Sequence, residues 1–133
     1  MKTTIWLSII LSLAFWPSSL FADGSEAVGV VNAYIDSCKT GNVEVLKPLI
    51  AGPFLERRKL LLEKNREYSD FLKEFYKNIA IEVVAVDDDK DANSTAVVVR
   101  QKPLYGRGGS NIKLILRRDG GGPWLIFDEQ LLD

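Results

Sequence analysis

The sequence contains no histidine and one cysteine, Cys38. The first absence removes the commonest general base and the commonest transition-metal ligand. With one thiol and no imidazole, neither a zinc or copper site nor a bound cofactor is expected. One cysteine cannot close an internal disulfide, so the fold must stand on its hydrophobic core. Cys38 has apolar neighbours at helical spacing, which predicts a buried structural thiol; an intermolecular disulfide or a reactive thiol are the alternatives. Basic excess is missing too: 17 Lys and Arg face 18 Asp and Glu. Nucleic acid is therefore not an expected partner, since it calls for a basic face. Finally, no apolar run reaches the ~20 residues that cross a bilayer.

What is present begins with an address. Lys2 precedes a run from Ile5 to Trp16 that is apolar apart from two serines, and Pro17 to Ala22 forms a non-helical tail. This is the layout of a secretory signal peptide over residues 1–22. The expected location is periplasmic or secreted, with no stable membrane span after cleavage. Leu20 stands three residues before the expected cut, where a small residue is preferred, so an uncleaved tether is the alternative. Residues 23–133 then form a single domain, long enough to hold a core without disulfides.

Within that domain the first half is helical. Ala27, Val28, Val30, Val31, Tyr34, Ile35 and Cys38 make a stripe of period 3.6. Gly41 ends it, and Asn42 caps a second short helix that Pro48 distorts. Pro53 opens a further helical stretch, in which Leu61, Leu62, Tyr68, Phe71, Leu72, Phe75, Tyr76 and Ile79 track one face. The polar run Glu63 to Glu67 predicts two helices or one bent helix. Glu56, Arg57, Arg58, Lys59, Glu63, Lys64, Arg66 and Glu67 read as a solvated face of mixed charge.

The second half changes period. Ile79 to Val86, Ser94 to Lys102, Asn111 to Arg118 and Trp124 to Leu132 read as four strands. Ile112, Leu114 and Leu116 alternate against Lys113, Ile115 and Arg117. Asp119 and Gly120 mark a hairpin turn. The run Asp87, Asp88, Asp89 and Asp91 lacks the spacing of a twelve-residue calcium loop, and reads as a solvated connection. Helices followed by four consecutive strands predict an α+β fold with an antiparallel sheet.

This order resembles a known family. Residues 30–35, the break at Lys39, Thr40, Gly41 and Asn42, and Leu46 to Leu49 are similar to the opening of nuclear transport factor two-like domains. The closing stretch, Asp119 to Ile126 with Trp124 after a glycine turn, resembles their last hairpin. The resemblance implies N-terminal helices packed on a curved, cone-shaped sheet around a pocket, and in many members a homodimer through the sheet. It is closest to small secreted bacterial members with no assigned activity.

Tyr34, Phe71, Phe75, Trp124 and Ile126 are the candidates to line such a pocket. Asp128 is the candidate catalytic carboxylate, because plain alternation puts it on the face of Trp124 and Ile126. A carboxylate enclosed among apolar groups can act as acid or base. No further catalytic constellation is found. The expected function is a non-enzymatic periplasmic domain that binds a small apolar ligand or a protein. A cofactor-free isomerase or hydrolase using Asp128 and a dimeric assembly module are the alternatives.

Overall fold

The computed structural model describes residues 26–87 and 92–132. The expected signal segment and residues 88–91 of the acidic connection lie outside them. Helix α1 covers residues 26–40 of the described chain. Its stripe is the expected one: Ala27, Val31, Tyr34, Ile35 and Cys38 are all buried. The buried Ser37 hydroxyl is satisfied within the helix, donating to the Tyr34 carbonyl at 2.7 Å.

Gly41 ends α1 at φ +68°, a left-handed conformation that side chains resist. The Asn42 N–H donates back to the Ser37 carbonyl at 2.9 Å, closing the turn. A Cβ at Gly41 would also sit 2.5 Å from the Ser69 carbonyl oxygen. Helix α2 (Val43–Leu46) follows, and the Asn42 side chain accepts from the Val45 N–H as an N-cap. The chain then tightens into a 3-10 turn, Lys47–Leu49, around Pro48. Helix α3 (Gly52–Lys64) begins at Gly52, φ +57°, where a Cβ would collide with the Phe127 ring.

The polar run does break the helical stretch, between α3 and α4 (Tyr68–Tyr76). Four strands close the chain: β1 (Ile79–Asp87), β2 (Ser94–Pro103), β3 (Ser110–Arg117) and β4 (Leu125–Leu131). They pair in the order β1-β2-β3-β4, each antiparallel to its neighbour. The fold class is the expected α+β. Ile50 adds a parallel bridge to Ile126, with the Ala51 N–H donating to the Ile126 carbonyl at 2.9 Å. That contact partly covers the β4 edge, which would otherwise offer unpaired backbone groups.

Two irregularities shape the open sheet. One shifts the β1–β2 register between Val83 and Ala85, the other the β3–β4 register between Ile115 and Leu116. Bulges of this kind bend strands and increase their twist. The helices cover one face, where Val97, Val99, Leu114, Leu116 and Ile126 join the buried residues of the helices in one core. No described helix is long and apolar enough to cross a membrane.

Candidate functional site

Helices α1, α3 and α4 do not fill the space over the sheet. A cavity of about 210 Å³ remains, bounded by Tyr34, Ile35, Cys38, Arg58, Phe75 and Tyr76 on the helical side. Ile81, Val99, Gln101, Ile112, Leu114 and Glu129 form its other wall. Register explains that wall. Ile81 pairs with Gln101, Val99 with Ile112, and Leu114 with Glu129. These pairs lie on one inward face and step diagonally across all four strands.

The last pair decides which carboxylate reaches the cavity. Plain alternation along β4 would take Trp124, Ile126 and Asp128 inward. The bulge inserts Phe127 between the pairs Leu116–Ile126 and Ile115–Asp128. Alternation resets there, so Glu129 takes the inward position beside Leu114. Asp128 leaves the face of Trp124 and Ile126, and its Oδ1 accepts from Arg57 Nη2 at 2.7 Å. That bond, with the Glu129 N–H as a second donor, holds the Asp128 carboxyl below its ordinary range.

Spacing on α3 supplies the cation. Phe54 and Leu62 are buried, and Arg58 lies four residues from each. It therefore occupies the inward row rather than the solvated face on which its neighbours sit. Its guanidinium lies 3.8 Å from the Phe54 ring centroid, and Nη2 is 3.3 Å from Glu129 Oε1. The Arg58 and Glu129 side chains are 21% and 32% exposed, a pair at the cavity mouth. Desolvation works against the Arg58 charge, but Tyr34 and Glu129 outweigh it and raise its pKa.

Beside the Gln101 amide, the remaining polar groups are weak acids kept protonated. Burial pushes the Cys38 thiol from its ordinary 9.0 up to about 11, despite the opposing effects of the Tyr34 hydroxyl and Arg58. Burial, reinforced by Cys38, likewise raises the Tyr34 and Tyr76 hydroxyls. A protonated, enclosed thiol is a poor nucleophile, so Cys38 acts as packing. The site thus offers hydroxyls, one amide and one mutually compensated ion pair within apolar walls. Among the described residues no cluster of Cys, Asp and Glu is arranged to hold a metal ion.

Of the five pocket candidates, Tyr34 and Phe75 line the cavity. Trp124 and Ile126 are core residues, 3% and 0% exposed. Phe71 faces outward, 56% exposed, and borders a separate groove. Arg58 and Glu129 escape a reading by composition. The signal for Arg58 is its spacing from Phe54 and Leu62; the signal for Glu129 is a bulge that no residue type announces. No protein-family model and no curated protein matches this chain.

The shifted acids have a consequence at high pH. In the folded protein Cys38 keeps its proton up to about 11, whereas an unconstrained thiol loses it near 9.0. Between these values the folded state holds more protons than the unfolded one, so stability falls as pH rises. Urea unfolding is expected to give a constant free energy from pH 7 to about 9, then a fall of up to about 3 kcal/mol by pH 11 from the thiol alone. The buried tyrosines add to that fall. A flat profile to pH 11 would show these groups to be solvated.

Proposed function

We propose that this chain is an exported binding domain for a small, uncharged, mainly apolar molecule, built on the plan of nuclear transport factor two-like domains. The family and the location rest on the sequence resemblance and on the signal layout of residues 1–22. The order of helices before a four-stranded antiparallel sheet supports the family reading. The observation that carries the function is the cavity, with polar groups placed inside apolar walls, the usual makeup of a ligand site.

Size and charge narrow the ligand. The 210 Å³ of space equals about seven waters at ~30 Å³ each, so an occupant is of phenol or indole size. Arg58 and Glu129 already neutralise each other. A charged ligand would have to break that pair or enter unpaired, and an unpaired charge is costly in such surroundings. A neutral hydroxyl or carbonyl instead hydrogen-bonds to Tyr34, Tyr76 or Gln101 while its apolar body leaves water. An isomerase or hydrolase using Asp128 would need that carboxylate inside this space; Asp128 is engaged by Arg57 instead, and the carboxylate that does line the cavity, Glu129, is held by Arg58.

Ile112→Trp tests this reading. The indole would project from the middle of the inward sheet face into the cavity, at an overpacking cost of about 1–3 kcal/mol. Phenol and indole are expected to raise the thermal midpoint of the wild-type chain and leave that of the variant unmoved. Benzoate and benzylammonium are expected to shift neither. Equal shifts in the two proteins would place the binding elsewhere.

A further inference from the structure

We infer that the outer face of α4, with the end of α3, is a docking groove for a basic amphipathic segment of another protein. Helix α4 carries its large apolar and aromatic residues on two rows. Tyr68, Leu72 and Tyr76 turn inward. Phe71 stays 56% exposed and Phe75 50% exposed, although each has a large apolar surface that folding could have covered; Phe75 also borders the cavity on its other side. They form part of an ordered ladder: Tyr68 stacks on Phe71 at 6.1 Å and 15°, and Phe71 on Phe75 at 5.8 Å and 26°. Leu61 of α3, 40% exposed, extends the strip. Contiguous exposed apolar surface of this kind marks interaction sites.

Charge selects the occupant. The groove, an open space of about 650 Å³, is bordered by Leu61, Tyr68 and Phe71 together with Glu67, Asp70 and Glu74. No ion pair among the described residues engages these three carboxylates. The helix dipole favours Glu67 at the N-cap and Asp70 in the first turn, but it disfavours Glu74 in the last, so Glu74 is not explained by helix stability. An apolar strip flanked by carboxylates that no ion pair among the described residues engages complements a helix with apolar side chains on one face and Lys or Arg beside them. An anionic lipid surface would be repelled. A second copy of this groove would bring the same carboxylates together.

The full chain titrated with two labelled synthetic helices of about four turns, one of Leu and Lys and one of Leu and Glu, tests the inference by fluorescence anisotropy. The Leu–Lys peptide is expected to bind, more weakly as salt rises, and the Leu–Glu peptide not to bind. Phe71→Ser and the triple variant Glu67→Gln, Asp70→Asn, Glu74→Gln are each expected to weaken binding about tenfold or more. All four positions are exposed, so these variants should unfold at the wild-type temperature, which circular dichroism checks. Absent Leu–Lys binding, equal binding of both peptides, or full affinity in Phe71→Ser would overturn the inference. So would a dimer by sedimentation that Phe71→Ser dissolves, or binding to phosphatidylglycerol vesicles in place of the peptide.

Discussion

Phe54→Ala is expected to cost about 3–5 kcal/mol of stability, the range for deleting a fully enclosed aromatic ring. Phe54 is 0% exposed and among the largest fully buried side chains. Its ring meets Tyr34 edge-on at 5.7 Å and 73°, and Arg58 lies across it. Removing it opens a void beneath α3 and takes away the surface on which the guanidinium rests. In urea unfolding the midpoint should fall with the slope unchanged, as for a native-state effect. Phe54→Leu keeps most of the volume and should lose clearly less. A loss below about 1 kcal/mol for the alanine variant would mean that α3 is not packed on α1 in this way.

The second large effect concerns the pair at the cavity mouth. Glu129→Leu is expected to cost about 1–3 kcal/mol or more, because it strands a partly buried guanidinium without its carboxylate. Arg58→Leu combined with Glu129→Leu should restore much of that loss. An apolar pair of suitable volume often matches or exceeds a buried ion pair in stability. The double-mutant cycle by urea unfolding therefore carries a large coupling term, and additive losses would show that the two groups do not interact. Asp128→Asn is the useful contrast. Its bond to Arg57 lies at an exposed position, where solvent screens the pair, so little loss of stability is expected.

Much of the architecture is legible in the residues. The α1 stripe, the Gly41 stop, the Asn42 cap and the four strands follow from period and turn chemistry. Ile112, Leu114 and Leu116 take the inward face of β3 as their alternation predicts. Less of the site is legible, for two physical reasons. First, alternation holds only until a bulge: Phe127 consumes one extra position on β4, and the inward carboxylate becomes Glu129 instead of Asp128. Second, a charged residue on an apolar row looks solvated until its partner is known. Arg58 shares its row with Phe54 and Leu62, yet only the Glu129 carboxylate and the Phe54 ring make that position tolerable for a cation. The rows of α4 are a third case. Tyr68, Phe71, Leu72, Phe75 and Tyr76 fit one broad stripe by spacing, and the fold turns Tyr68, Leu72 and Tyr76 inward, leaves Phe71 outside and sets Phe75 half-exposed at the cavity edge.

The central claim is that the space between the helices and the sheet accepts a small neutral molecule. Methyl NMR of the chain titrated with phenol tests it most directly. Shifts that saturate together at Ile35, Ile81, Val99, Ile112 and Leu114, with Val84 and Val86 on exposed positions of β1 unmoved, are the predicted result. Shifts confined to exposed methyls, or none at any of the five inward residues, would contradict it.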